Sequence, residues 1–329
     1  MQCFVRKNLT GKSMADSIRK VIETIFFPTK SNLNKQADER QYFRNFAKNF
    51  DGMKCNYHTH CTYCDGKEPI EAFVKQANEI GLNHLGFSSH APVPNENDFA
   101  IEENRIPEYV KEVHSFQKNS NTQLFVGLEC DFIPGMTQKF DHYRNEYQLD
   151  YIIGGVHLVR PANDERLWFI DGSKREIYDA GLDILFNNNI QKAVTTFWEQ
   201  SFQMLEEEHL DIIAHLDKIK MHNQHRFFTE EEKWYIDLVD HALSLIKKND
   251  VIVEINTRGL YKKRCDAFYP SDYILAQAKK MHLPFIISSD AHKSEELNLY
   301  YNEAVQKLKS FGIDQLVHLD GNHWKEYDI

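Results

Sequence analysis

Tyr57-His58-Thr59-His60-Cys61-Thr62-Tyr63-Cys64-Asp65 is the stretch from which the rest of the chain can be read. Cys55-Asn56-Tyr57 reads as a strand end, and residues i and i+2 of a strand project to the same face, so His58 and His60 can present two imidazoles to one point. Asp65 follows after a short turn as a third donor. Imidazole combined with carboxylate suits zinc, iron or manganese better than magnesium or calcium. Standing alone, a His-x-His is more often an ordinary polar strand end, so the reading depends on what other segments bring to the same place. Cys61 and Cys64 form a Cys-x-x-Cys pair with no second pair and no thioredoxin-like helix behind it. Six cysteines in 329 residues do not make a disulfide framework, and they read as reduced thiols.

The net charge of -10 is unevenly spread. Residues 1–52 carry ten Lys/Arg against five Asp/Glu, about +5, which leaves the remainder at about -15. So acidic a body is a poor partner for long nucleic acid. The basic segment reads as a helical N-terminal extension, with an amphipathic helix from Met14 to Phe27 stopped by Pro28 and a second helical stretch from about Gln36 to Phe50. Met53 sits just before the first strand, so residues 1–52 are expected to be dispensable for chemistry and 53–329 to form the working domain. No apolar run approaches the roughly 20 residues that span a bilayer, and none resembles a secretory signal, which places the protein in the cytoplasm with no membrane partner.

From Met53 onward strands and helices alternate, the pattern of a parallel sheet or barrel. Apolar spacing at Ile70, Phe73, Val74 and Ala77 predicts a helix over 68–80 with Gly81 as its stop. Further strands are expected at 84–90, 123–130, 151–159, 211–214, 251–256 and 284–289, and helices near 106–118, 137–147, 191–208, 229–248 and 295–310. Thr229 reads as the N-cap of the penultimate helix, with Glu232 at the capping-box position. Residues 160–190 read as a long irregular loop over one face, and the chain ends in a tail through Gly321.

In a barrel of parallel strands, functional groups collect at the strands' C-terminal ends. His58 and His60 lie there on the first strand with Asp65 just beyond, His90 on the second, Glu129 on the third, His157 on the fourth, His215 on the fifth, and Asp290 with His292 on the seventh. Closure would set the first and last strands side by side, so that two i,i+2 pairs face each other across a seam. Taken singly, His157 or His215 is more often a hydrogen-bonded core histidine. Six of seven strands ending in a His or carboxylate at one rim is hard to attribute to that.

Tyr57-His58-Thr59-His60 with Cys64-Asp65, Gly86-Phe87-Ser88-Ser89-His90-Ala91-Pro92, Gly127-Leu128-Glu129-Cys130-Asp131, Gly154-Gly155-Val156-His157, Ile213-Ala214-His215-Leu216-Asp217, Glu254-Ile255-Asn256-Thr257 and Ser289-Asp290-Ala291-His292 occur in this order. So ordered, residues 54–295 resemble the PHP (polymerase and histidinol phosphatase) family of metal-dependent phosphoesterases, in its histidinol-phosphatase branch. The resemblance implies a distorted (β/α)7 TIM-like barrel holding three divalent ions, some mixture of zinc, iron and manganese. It assigns His58, His60, Glu129 and Asp290 to one ion, Asp65, His90 and His292 to a second, and Glu129, His157 and His215 to a third. Asp290, Glu129 and His60 become the residues on which catalysis depends. The chain departs from the pattern at Ser89, where aspartate is common, at Gly155, where serine is common, and at Arg258, where a small residue is common.

The implied reaction is hydrolysis of L-histidinol phosphate to L-histidinol and phosphate in histidine biosynthesis. Phosphate monoesters are among the slowest of uncatalysed hydrolyses, and ions roughly 3.5–4 Å apart can draw hydroxide from a bridging water near neutral pH. Three divalent ions against Asp65, Glu129 and Asp290 leave about +3 at the rim, which suits a phosphate dianion without any basic patch. Arg160 and Arg258 are candidate phosphate clamps, and Asp131 and Asp217 candidate receivers for the substrate's positive end. Alternatives are another small phosphate ester or short oligonucleotide, a metal-dependent amidohydrolase, and a non-catalytic metal-binding scaffold. Glu129 and the additional His292 favour the phosphoesterase over the amidohydrolase.

Overall fold

A computed structural model describes residues 52–94, 97–162 and 164–329. The helices expected within residues 1–52 lie outside the described residues. Seven parallel strands form one sheet in the order β1 (Cys55–Asn56), β2 (His84–His90), β3 (Gln123–Asp131), β4 (Tyr151–Gly155), β7 (Ile212–Ile213), β8 (Ile252–Asn256) and β9 (Phe285–Ser288). The sheet curls until a parallel bridge from Thr59 to Ala291 joins its two edges. The result is a nearly closed (β/α)7 barrel, as the family resemblance implies and in keeping with the alternation of strands and helices.

Helices cover the outside: α1 (Ile70–Ile80), α2 (Ile106–Phe116), α3 (Phe140–Tyr147), α4 (Arg175–Phe186), α5 (Ile190–Glu207), α6 (Lys233–Lys248), a single turn α7 (Arg258–Tyr261), α8 (Asp272–Lys280) and α9 (Tyr301–Ser310). The stripe Ile70, Phe73, Val74 and Ala77 is buried on α1, and Gly81 ends that helix in the left-handed region at φ 67°. Gly127 serves a different need. A Cβ there would meet the ring and the backbone oxygen of Tyr151 at 2.7 Å. The close approach lets the buried Tyr151 hydroxyl reach across the strands and donate to the Tyr57 carbonyl at 2.6 Å.

Four expectations need correction. The strand predicted over 151–159 stops at Gly155, and residues 160–190 are not a loop. Leu158–Val159 (β5) pairs antiparallel with Trp168–Phe169 (β6), and α4 follows with Tyr178, Leu182 and Phe186 buried at helical spacing. Thr229 is not the N-cap of α6, which begins at Lys233 with Glu232 as cap. Only half of the capping box forms, the Glu232 carboxylate accepting from the Thr229 N–H at 2.8 Å. The C-terminal tail is a β-hairpin, β10 (Gln315–Asp320) and β11 (His323–Asp328).

That hairpin closes the barrel's N-terminal end. Val317 and Leu319 join Tyr57, Phe125, Tyr151, Ile212, Ile252 and Ile286 in one apolar cluster, with Trp324 and Tyr327 packed on it. The Trp324 ring meets Tyr57 edge-on at 5.2 Å. With the floor sealed, the strand carboxyl ends at the opposite rim are the open face.

Candidate metal centre

All nine side chains picked out at the rim converge. They fall into four overlapping groups of donor atoms, each within 4.8 Å: His60, Asp65, His90 and His292; His58, His60 and Asp290; His58, Glu129 and His215; and His90, Glu129 and His157. Glu129 lies at the middle. Its Oε1 is 3.0 Å from His215 Nε2 and 3.3 Å from His157 Nε2, while Oε2 is 3.1 Å from His58 Nε2, 3.3 Å from His60 Nε2 and 3.0 Å from His90 Nδ1. On the other side of His60, Asp290 Oδ1 lies at 3.5 Å, and Asp65 Oδ1 is 3.0 Å from His292 Nε2. Asp65 and His90 are the partly exposed members, so the centre opens to solvent on their side.

The donors fit divalent ions. Ligands held about 2.0–2.1 Å from a common ion stand about 3.0–3.4 Å from one another, and the separations above fall near that range. His157 Nε2 and His215 Nε2 aim at each other at 3.1 Å, as two ligands of one ion do. The buried atoms His58 Nε2, His60 Nε2, Asp65 Oδ1 and Glu129 Oε2 have no hydrogen-bond partner among the described residues. A buried polar atom left unpaired costs free energy that an ion would recover.

The charge state follows from this crowding. Burial raises the pKa of Glu129, but His58, His90 and His157 overcome that and hold it well below the usual carboxylate range. Burial and the neighbouring His292 and His90 keep His60 neutral. Burial and Lys218 bring His215 down to about 4. Burial opposes charge on His58, His90 and His157 as well, but Glu129 raises the pKa of the first two, and Asp171 raises that of His157 to about 9. A metal, which requires neutral imidazoles beside ionised carboxylates, would displace protons from these three.

A second layer aims the ligands. Glu254 of β8 accepts from His58 Nδ1 at 2.6 Å and from the His215 backbone N–H at 2.7 Å, and it is itself held by Asn256 Nδ2 at 3.0 Å. Fixing one ring nitrogen leaves the other free to face the centre. The Asp290 carbonyl faces His292 Nδ1 at 3.1 Å, and Asp290 itself adopts φ 51°, a left-handed conformation that turns its carboxylate inward. Arg258 Nη1 donates to that carbonyl at 2.5 Å.

Of the four proposed substrate contacts, Arg258 and Asp131 stand against donors of the centre, and all four have partners within the protein. Arg160 donates to the Pro134 carbonyl at 2.6 Å and lines an open cavity of about 670 Å³ with Lys192 and Gln200, whose lining includes none of the nine donors. Arg258 frames Asp290 and lies 3.6 Å from Glu296, so its fork is engaged in holding the rim. Asp131 accepts the His157 backbone N–H at 2.9 Å, orienting that histidine. Asp217 is fully buried and receives Lys220 Nζ and the Ser271 N–H, both at 2.8 Å. Each is occupied with the protein's own groups. Sequence reasoning passed over Glu254, although the match through Glu254-Ile255-Asn256 marked it, and over Lys218 and Asp171, which nothing in local spacing distinguishes.

Comparison with known proteins agrees with this geometry. A Deinococcus radiodurans protein named "Probable histidinol-phosphatase" is 26% identical over 264 residues, covering 78% of this chain and 94% of that protein. The histidinol-phosphatase of Bacillus subtilis is 23% identical, covering 78% and 99%. A solved structure of histidinol phosphate phosphatase from Lactococcus lactis, complexed with zinc, L-histidinol and phosphate, superposes with a TM-score of 0.58 at 18% identity, covering 83% of this chain and 98% of that one, a likeness of fold. Because the family model of the PHP domain matches residues 56–258, well over half of the sequence, this chain belongs to the PHP domain family.

Proposed function

We propose that the protein is a cytoplasmic, metal-dependent phosphomonoesterase that hydrolyses L-histidinol phosphate to L-histidinol and phosphate. The observation that carries this is the set of nine convergent donors around Glu129, four of whose atoms lack any other partner. The names of the relatives supply the substrate. Three divalent ions, zinc, iron or manganese, account for the donors: His58, His60 and Asp290 with one Glu129 oxygen, Asp65, His90 and His292, and His157 and His215 with the other Glu129 oxygen. When bound, such ions supply charge for the phosphoryl oxygens and a nucleophile from water at neutral pH.

The chain's own contribution is position. Glu254 fixes the His58 ring and the His215 backbone at once, so the two residues are held in place before substrate arrives. Glu129, fully ionised and shared, keeps the histidine groups at fixed spacing. Entry is from the Asp65 and His90 side, where Phe99 contacts His90 edge-on at 5.5 Å and stacks on Phe169 at 6.0 Å. Both rings are partly exposed and offer a surface for the imidazole of the leaving alcohol. Described residues include no helix long and apolar enough to cross a membrane.

Phosphate release from a panel of phosphomonoesters, using zinc- or manganese-reconstituted protein with Asp290→Asn as control, tests the proposal. Selective hydrolysis of histidinol phosphate, abolished in the control, is the expected result. Activity spread thinly over many esters would assign another physiological ester, and absence of hydrolysis with metal bound would remove the phosphatase reading.

A further inference from the structure

Lys218 is the cation that the metal-centre description leaves unexplained. It follows His215 by three residues, on the 3-10 turn 218–220, and its side chain is 6% exposed. Its Nζ lies 3.2 Å from Asp171 Oδ2 and 3.6 Å from Asp290 Oδ2. Asp171 comes from the turn after β6, brought over the rim because the Ile170 N–H bonds the His157 carbonyl at 3.1 Å. Its Oδ2 stands 3.9 Å from His157 Nε2. The ammonium therefore links Asp290, a donor of one proposed ion group, to Asp171, which faces His157 of another.

Burying an ammonium is costly unless it is paired. Asp171 meets that need. Asp290 does not require a second partner of this kind, since Arg258 Nε already stands 3.8 Å from its Oδ1 and the same oxygen faces His58 and His60. Once cations are seated on Asp290 and Glu129, a further positive charge in this place is repelled unless an anion joins it. An ammonium has three protons to donate. Asp171 and Asp290 can take two, the Tyr269 ring lies with its centroid 5.8 Å away, and no third oxygen or nitrogen acceptor pairs with it among the described residues.

We propose that Lys218 binds the phosphoryl group of the substrate directly, with Asp171 as the positioning residue that holds the ammonium toward the space between the ion groups. This deepens the phosphatase reading and rests on it for the identity of the anion. The lysine supplies an oxygen-binding cation among the donors, which Arg160, lining a separate cavity, does not. Its contact adds to whatever the ions provide. Recognition of the phosphate is thereby built into the same segment that carries His215.

The test uses full-length, zinc-reconstituted protein and the variants Lys218→Met, Lys218→Arg and Asp171→Asn. Zinc content by elemental analysis, inorganic phosphate binding by calorimetry, and kcat and KM on histidinol phosphate are measured together. Lys218→Met is expected to keep the wild-type zinc content, to bind phosphate at least about 10-fold more weakly, and to lose about 100-fold in kcat/KM, the cost of removing one preorganised donor. Lys218→Arg should regain part of the phosphate affinity, and Asp171→Asn should weaken it less than the methionine variant does. Unchanged phosphate binding in Lys218→Met overturns the inference. So does loss of zinc in that variant with zinc regained in Lys218→Arg, because the lysine is then a counter-ion of the centre. If the methionine variant does not fold, undiminished phosphate binding by Asp171→Asn overturns it instead. A wild type that binds phosphate through Lys218 yet leaves histidinol phosphate intact would refute the substrate reading alone.

Discussion

Glu254 stands behind the centre, yet two of the convergent histidines depend on it. Replacing it with glutamine keeps the volume but weakens the acceptor that fixes His58 and leaves the His215 N–H with a neutral partner. Loss of such an outer partner typically costs about 10–100-fold in metal affinity. Chelator competition on Glu254→Gln should show that loss with little change in the metal-free melting temperature. A second residue sets acid stability. The Tyr57 hydroxyl accepts from the Leu319 N–H at 2.8 Å and pairs with His84 Nδ1 at 2.7 Å, to which it can donate while the imidazole is neutral. Burial first, and His318 second, lower the pKa of His84 to about 4. Since the unfolded value is near 6.5, its contribution is complete above pH 6.5 and lost as pH falls through about 4. His84→Gln, which retains an acceptor, should therefore show a smaller fall in melting temperature between pH 7 and pH 4, a difference of about 2 kcal/mol.

The same scale shows what the sequence made legible. Histidines and carboxylates at strand ends declare themselves because strand periodicity and barrel geometry together specify where they point. Glu254 sits two residues before a strand end in an apolar run and gives no such sign. Lys218 and Asp171 meet only because a turn after His215, itself at φ 26°, and the β5–β6 hairpin bring them together. Long-range placement of that kind has no local signature. Arg160, by contrast, was drawn to the rim by proximity to His157, but backbone carbonyls hold it in a different cavity.

Among the elements, the barrel strands and most covering helices could be read from apolar periodicity, and the misses are two hairpins and three helices, α4, the single turn α7 and α8. β5 and β6 are two residues each, too short to show alternation. α4 had a readable stripe, Tyr178, Leu182 and Phe186, ending at Asn187 in the left-handed region. The C-terminal hairpin turns at Gly321-Asn322, with Gly321 at φ 60°, a turn signal placed where a tail was expected. Its importance is energetic. Leu319 is buried against the barrel floor, so Leu319→Ala should cost about 2–5 kcal/mol in denaturant unfolding. Because the floor is opposite the metal centre, kcat of the folded fraction should remain within about twofold of wild type.

At the scale of the whole molecule, every proposed ligand lies between His58 and His292, and Met53 packs on the floor cluster. A chain beginning at Met53 is therefore expected to fold, to bind the same metal complement and to retain phosphatase activity within about twofold of the full-length protein. Activity and elemental analysis of that truncation check it, and loss of both would give residues 1–52 a part in the barrel's chemistry.

The bridge between Thr59 and Ala291 joins the first and last strands at the residues that separate the paired ligands. His60 N–H bonds the Ala291 carbonyl at 2.8 Å, and Ala291 N–H bonds the His58 carbonyl at 3.1 Å. The fastening of the cylinder and the grip proposed for the ions are one clasp. Pulling the ions out leaves a crowd of facing histidines and carboxylates to press that clasp apart, so chelation should reach the backbone. Amide exchange at His60 and Ala291 should quicken on metal removal, well before the floor amides of Tyr57 and Leu319 respond.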